Sequence, residues 1–412
     1  MAWEYKRISE VTKTSAGGTP LKSHKEYYIN GDIPWLQSGE VGTKDITVSK
    51  NFITKDGLNN SSAKIFPENT VLVAMYGATA GEVGILRFKA ATNQAVCGIL
   101  PSDKLLPEFV YYFFLYHKAK LIEQAVGNAQ PNISQEKIKN TKIPILPICD
   151  QKRIVLLLDK VFADIDKIYC LTKKNLKNAK ILFDSYLNKL VAMDRDEWNK
   201  TTIEALVEDG ILFKPLDGNH GEIHPKSSDY VADGVPFIMA SDIKNDSVDL
   251  MGCKFIKKSQ AESLRKGFAQ DGDVLLSHKA TIGQCAILKT DHEYVMLTPQ
   301  VTYYRIKDKS LLFNKYLYYY FKSPLFQKEL NKYAGVGTTR AYIGITRQLK
   351  LSFAYPSLDK QKSIVSKLDN IFPQTKRIND IYNKKIAYLT ELKKSILNTI
   401  FTCEHTKYEV TA

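Results

Sequence analysis

The chain has 412 residues, 44% hydrophobic and 25% charged, which is enough for two or three domains with real cores and is not the make-up of a disordered protein. No apolar run approaches the ~18–20 residues of a membrane span, and the start, Met1-Ala2-Trp3-Glu4-Tyr5-Lys6, has no signal-peptide core. A net charge of +14 favours a polyanionic partner, with nucleic acid ahead of a membrane surface. The cysteines, Cys97, Cys149, Cys170, Cys253, Cys285 and Cys403, are scattered with no CxxC pair, so reduced thiols and a cytoplasmic location are the expectation.

Met1 to about Leu146 is rich in Gly, Thr and β-branched residues. After Trp3 comes Gly17-Gly18-Thr19-Pro20, a turn signal, and then Asp32 to Val41 (DIPWLQSGEV). Thr70–Tyr76 (TVLVAMY) reads as a strand, Gly77–Gly81 (GATAG) as a loop and Val83–Phe88 as another strand. Pro107 to about Ala125 is an aromatic helix with Phe109, Tyr112, Phe113 and Tyr116, and the polar loop Gly127–Ile133 leads to a strand at Lys142–Leu146.

Pro147–Met193 is a long amphipathic segment, apolar at Ile154, Leu158, Val161, Ile165, Ile168, Ala179, Leu182 and Tyr186. Steps of three and four with a drift near 3.5 point to a helix that supercoils with a partner. The partner lies in the same chain. Pro356–Thr402 repeats the segment in register: Gln151-Lys152 meets Gln361-Lys362, Leu158-Asp159 meets Leu368-Asp369, Phe162 meets Phe372 and Ile168 meets Ile378. Its apolar positions are Ile364, Leu368, Ile371, Ile378, Tyr382, Leu389, Leu392 and Ile396. Pro373 lacks an amide hydrogen and clashes with the preceding turn. It therefore predicts a short helix from Asp359 to about Ile371, a break, and a long arm to about Thr402, with a matching break near Phe162-Ala163 left open.

Between the two segments the globular order repeats as well. Trp198 answers Trp3, Gly234–Ile243 answers DIPWL, Asp273–Gly283 answers TVLVAMYGATAG, Gln300 answers Gln94, Tyr316–Phe321 answers Val110–Phe114, and Gly337–Ile343 answers the polar loop. The repeat is far longer than the ~20–50 residues of a solenoid unit. The expected fold is α+β: two globular domains of mixed β with helices, joined by two long helices in an intramolecular antiparallel coiled coil, an internal duplication with pseudo-two-fold symmetry. The boundaries expected are 1–148, 149–193, 194–357 and 358–402, with a tail at 403–412.

The order of elements, the Leu146-Pro147…Gln151-Lys152…Ile154-Val155 pattern that returns before the second helix, the DIPWL stretch and the GATAG loop resemble the specificity subunit of type I restriction-modification systems over essentially the whole chain. The second copy departs in having Tyr355-Pro356-Ser357 shifted by one residue, and in Pro373. The resemblance implies that each globular unit is a target recognition domain for one half of a bipartite double-stranded DNA site. It implies that the paired helices act as a ruler and dock two methyltransferase subunits, with endonuclease/translocase subunits completing the complex. S-adenosylmethionine, ATP and Mg would sit on those partners and not on this chain.

The residues themselves carry no sign of catalysis. There is no NPPF- or DPPY-like tetrapeptide to stack a flipped base, and no GxxxxGK[ST] phosphate loop. Gly77–Gly81 lacks the lysine of such a loop and reads as a β-turn. His220 and His224, four apart in GNHGEIH, could share a metal on a helix, but their glycines argue for a loop and no third ligand is obvious. Polar loop residues are the candidates for base contacts, since lysine and arginine on phosphates mainly set position and affinity. In the first unit they are Ser15, Thr19, Lys22, Ser38, Glu40, Tyr76, Thr79, Asn93, Gln94, Asn128 and Gln130; in the second, His220, Lys226, Ser241, Asp242, His278, Lys279, Thr281, Gln300, Arg340 and Tyr342. The apolar surplus at Ile181–Val191 and Ile386–Ile400 either docks partner helices or packs on the globular units. Two rival readings remain: an enzyme acting alone on nucleic acid, and a coiled-coil protein scaffold.

Overall fold

The computed structural model describes residues 3–123, 132–191, 198–279, 281–335 and 341–402. Its contacts divide the chain into two compact units, Met1–Thr172 with Lys384–Ala412, and Lys173–Asn383. Each unit thus owns half of each long helix. Among the described residues no helix is long and apolar enough to cross a membrane.

In the first unit, strands Thr14–Ala16, Val96–Ile99, Val71–Ala74, Val83–Leu86 and Asp45–Ile46 form one sheet in that order. Phe52–Ile53, Ile33–Leu36, Ala90–Thr92 and Ile65–Phe66 form a second. The GATAG loop is the turn between Val71–Ala74 and Val83–Leu86, with Gly77 and Gly81 at positive φ, where a side chain would be strained. The aromatic helix Pro107–Glu123 buries Phe109, Tyr112, Phe113 and Phe114 against this framework.

The second unit repeats the plan. Strands Leu216–Asp217, Val301–Tyr304, Val274–Ser277 and Cys285–Ile287 make one sheet, and Tyr230–Val231, Lys254–Ile256, Val235–Ile238, Val295–Leu297 and Phe268–Ala269 the other. The registers agree in detail. Cys97 lies opposite Ala16 and Val73, as Thr302 lies opposite Asp217 and Leu276. Trp35 pairs in parallel with Ala91, as Phe237 does with Met296. In each unit a short antiparallel pair (Glu4–Arg7 with Lys142–Ile145, Asn199–Thr202 with Ser352–Tyr355) leads the chain into its long helix.

The long helices run Ile148–Val191 and Leu358–Thr402. Both begin around a buried glutamine. Gln151 accepts from Leu106 N (2.9 Å) and donates to the carbonyls of Lys104 and Leu146 (2.8 Å each). Gln361 accepts from Phe313 N (3.0 Å) and donates to Leu311 and Pro356 (2.8 Å each). The one-residue shift of proline is therefore harmless, because the amide reaches a carbonyl five residues back whichever residue supplies it.

The shielded stripe of the first helix is Gln151, Val155, Leu158, Phe162, Ile165, Tyr169, Thr172, Leu176, Ala179, Phe183, Tyr186 and Leu190, and the second helix repeats it at every position plus 210. Its steps alternate four and three, a sustained heptad. This corrects the phase expected from sequence: Ile168, Leu182, Ile378 and Leu392 lie outside the seam and are exposed. The pairing is antiparallel in each unit. In the first, Lys393 bonds Asp166 (2.6 Å) and lies over the Phe162 ring, while Leu397, Ile400 and Phe401 join Val155 and Leu158. In the second, Phe183 meets Phe372 (5.4 Å between ring centres), and Leu187 and Val191 join Ile364, Val365 and Leu368.

Two further expectations are revised. The second helix does not break at Pro373, and the first does not break at Ala163. Phe372, next to the proline, is held by Phe183, Tyr319 and the Lys322 ammonium, so packing on that side keeps the helix continuous. The apolar surplus near the helix ends also resolves: Phe183, Leu187 and Val191 pack into the second unit's core, and Leu397, Ile400 and Phe401 into the first's. Ile181, Leu182, Tyr388 and Leu392 stay exposed.

Candidate nucleic-acid interface

The strand ends and loops of each unit carry the candidate residues, and the fold sorts them by what their polar atoms already hold. In the first unit, Thr19 bonds Gln94 across the loop tips, and Lys64 reaches Ser15 (3.3 Å). Gly17 and Gly18 beside them leave no space for a Cβ: Thr92 and Ser62–Ala63 atoms lie 2.1–2.4 Å from where one would stand. The backbone there is pressed flat, which fixes Thr19 at the rim. Lys22 and Gln94 are exposed, and Tyr76 is 39% exposed at a bridge to Asn132.

Other candidates serve their own loops. The Glu40 carboxylate accepts from the backbone of Gln37 (2.9 Å) and Lys50 (2.8 Å). Asn93 accepts from Ala95 N (3.2 Å), and the Thr79 hydroxyl donates to Tyr76 O (3.4 Å). Ser38 is half-buried beside them on the Glu40 turn. Asn128 and Gln130, and Arg340 in the second unit, lie outside the described residues.

The second unit gathers charge. Asp217, at the end of its strand, has a carboxylate that is only 3% exposed. One oxygen pairs with the Lys266 ammonium; the other meets His220 Nε2 at 2.8 Å and faces His278 Nε2 at 3.9 Å. Burial alone would push this carboxyl up, but the hydrogen bonds from Lys266 and His220 hold it below the usual carboxylate range. His278 is wholly buried; its Nδ1 shares a hydrogen bond with the Thr302 hydroxyl (2.7 Å), and its Nε2 has no partner. Burial pushes this imidazole down to about 4, against the pull of Asp217. His278 therefore lies beneath the surface and offers no atom to a ligand outside.

Above it, Tyr342 sets its ring 5.7 Å from that of His278 and bridges to exposed Lys279. The Gln300 carbonyl accepts His278 N (2.9 Å), and the Thr281 carbonyl accepts the Ser277 hydroxyl. Elsewhere, Ser241 and Lys226 are exposed, while the mostly buried Asp242 carboxylate caps Met239 N (2.8 Å) and is pushed up by burial. His220 bonds Asp217, whereas His224 lies against Phe237 (5.6 Å). Among the described residues no group of His, Cys, Asp or Glu is placed to hold a metal ion.

Sequence reasoning missed Asp217, Lys266 and Asn219. Asn219 is buried and staples two loops, donating to Lys266 O (2.6 Å) and accepting from Arg265 N (3.1 Å). The only trace in the sequence is the three-residue spacing of Asp217 and His220; Lys266 is remote and gives no signal.

The model of the type I restriction modification DNA specificity domain matches residues 2–178 and again 212–389. The chain belongs to that family. It is a DNA-recognition subunit of a type I restriction-modification system and not a catalyst, and its partners are DNA and other subunits of such a complex. Among its relatives, the MjaVIII specificity subunit of Methanocaldococcus jannaschii is 23% identical over 97% of this chain and 92% of its own length. The EcoR124I/EcoR124II specificity subunit of Escherichia coli is 28% identical over a shorter stretch, 38% of this chain and 40% of that one. A chain from a solved structure of a type I R-M system, studied for complex assembly and conformational transition, superposes with a TM-score of 0.76 at 19% identity, covering 98% of both chains. That likeness is one of fold.

Proposed function

We propose that each unit of this specificity subunit reads one half of a bipartite duplex DNA site. The observation that carries the reading is a sheet register repeated position for position in both units, with different side chains at the loop ends. A shared frame with divergent loops serves two readers of different sequence. The candidates that remain open to a ligand are Thr19, Lys22, Tyr76 and Gln94 in one unit, and His220, Lys226, Ser241, Lys279, Thr281 and Tyr342 in the other. Two modest readers on one chain gain by effective concentration when both engage at once, so the paired helices serve as the ruler between half-sites.

In the proposed complex this chain docks two methyltransferase subunits and endonuclease/translocase subunits in the cytoplasm. S-adenosylmethionine, ATP and Mg are held by those partners. The test is to co-produce the chain with its methyltransferase and map methylated adenines in genomic DNA. The expected outcome is a two-part motif with a fixed gap; a contiguous motif, or methylation by the isolated chain, overturns the reading. Mass measurement of the purified complex checks the stoichiometry, with two methyltransferase subunits per chain expected.

A further inference from the structure

The two units close one sheet corner with different chemistry. In the first unit the corner holds Ala16, Ala63, Met75 and Cys97, all neutral. The second unit has Asp217, Lys266, His278 and Thr302 at the corresponding positions. The correspondence is structural. Cys97 faces Ala16 as Thr302 faces Asp217. Ile65 pairs with Ala91 as Phe268 does with Met296, which sets Ala63 against Lys266 two residues earlier. Met75 N donates to Ala95 O and its carbonyl accepts from Ile133; His278 N donates to Gln300 O and its carbonyl accepts from Ile343.

A buried carboxylate with its cations costs free energy that an apolar set of the same shape does not. The first unit shows that the corner closes without one, so the charge answers to something other than the fold. What it does is visible in the side chains that emerge. His220 (51% exposed) and Lys266 (32% exposed) both hang from the Asp217 carboxylate. The backbone beneath them has no slack: a Cβ on Gly218 would stand 1.9 Å from Leu297 O, and Asn219 ties the loop to Arg265 and Lys266. The imidazole and the ammonium are therefore fixed in direction as well as in place.

A lysine that meets a phosphate can be loose, whereas one that reads a base edge must be aimed. We propose that Asp217 is a positioning residue that aims the Lys266 ammonium at acceptor atoms, and the outer nitrogen of His220, an acceptor while Nε2–H donates to Asp217, at a donor group, on base edges in the half-site met by the second unit. Guanine N7 and O6 are the acceptors that fit a lysine donor. This rests on the bipartite DNA reading above. His278 lies buried beneath these side chains, its Nε2 3.9 Å from the Asp217 carboxylate.

The test compares methylation motifs from the full chain, co-produced with its methyltransferase, for the wild type and three variants. These are Asp217→Asn, His220→Ala, and the triple Asp217→Ala/His278→Met/Thr302→Cys, which installs the first unit's residues at three of the four positions and keeps Lys266. The expected result is an unchanged half-site for the first unit and, in the other half, one position where discrimination falls about tenfold or more. If Asp217→Asn fails to fold, the triple, which repeats the first unit's neutral residues beneath a partly exposed Lys266, and the surface change at His220 carry the test. Motifs unchanged in both halves overturn the proposal. So does a uniform fall in methylation with the motif intact, which is the mark of a phosphate contact or a structural staple. A wild type with no two-part motif instead removes the reading on which the proposal stands.

Discussion

At the scale of single residues, the pair Gln151 and Gln361 explains why the repeat is readable at all. Each is fully buried and satisfies one amide hydrogen and two carbonyls of the segments that meet at the helix start. Only a primary amide offers one acceptor and two donors on so short a stem. Leucine at either position would leave those backbone groups buried without partners, at ~1–3 kcal/mol for each group that water cannot reach. Gln151→Leu and Gln361→Leu are each expected to lose about 2–4 kcal/mol of stability, measured as a fall in the urea midpoint at unchanged slope. Gln151→Glu adds a sign to check. Its carboxylate would face the carbonyls of Lys104 and Leu146, which raises its folded-state pKa above the unfolded value. The variant should therefore be most stable at acid pH and lose that stability as pH rises through the folded pKa. Equal stability at pH 4 and pH 8 would refute the geometry.

At the scale of elements, the long helices show what the sequence disclosed and what it hid. Their existence and mutual pairing were legible because the polar residues repeat in register along with the apolar ones. The phase of the seam was not. Ile154 and Val155, or Leu182 and Phe183, are equally apolar neighbours, and only the globular core behind the helix decides which faces inward. Pro373 misled for a related reason, since a local rule was set against packing on Phe372 that lies far away in the sequence. Its cost should still be present: the Asp369 carbonyl has no amide hydrogen four residues on, and the proline ring is exposed, so it contributes little packing. Pro373→Ala is expected to stabilise the chain by about 1–3 kcal/mol, seen as a higher thermal midpoint by circular dichroism. A midpoint that stays or falls would mean the proline is relaxed where it sits. The candidate site was less legible than the helices. Loop residues such as Thr19, His220 and Lys279 could be picked as polar, but His278 sits one residue beyond a strand on the inward side. That alternation is set by register, which a single sequence shows poorly.

At the scale of the whole molecule, the charge of +14 has to be accounted for by what the chain binds. Much of the positive charge in the described ion pairs is already matched, as in Lys315 with Asp369, Lys393 with Asp166 and Arg305 with Asp273. The net excess therefore lies on other, solvent-facing lysines and arginines, such as Lys22, Lys226 and Lys279. If those meet phosphates, binding releases condensed counterions and log Kd rises linearly with log salt, with a slope near 0.9 per phosphate contact. Two units engaged on one duplex at six to ten contacts would lose about 10³–10⁵ in affinity between 50 and 200 mM salt. A duplex with one half-site scrambled should lose affinity through its missing base contacts while keeping most of that slope, because phosphate contacts do not depend on sequence. The measurement is fluorescence anisotropy of the purified complex on the two duplexes across a salt series. A slope near zero would make the charge incidental and favour a protein scaffold. Equal slopes on the two duplexes would mean that both units hold the backbone whether or not their bases are present, so that sequence selection rests on base contacts alone.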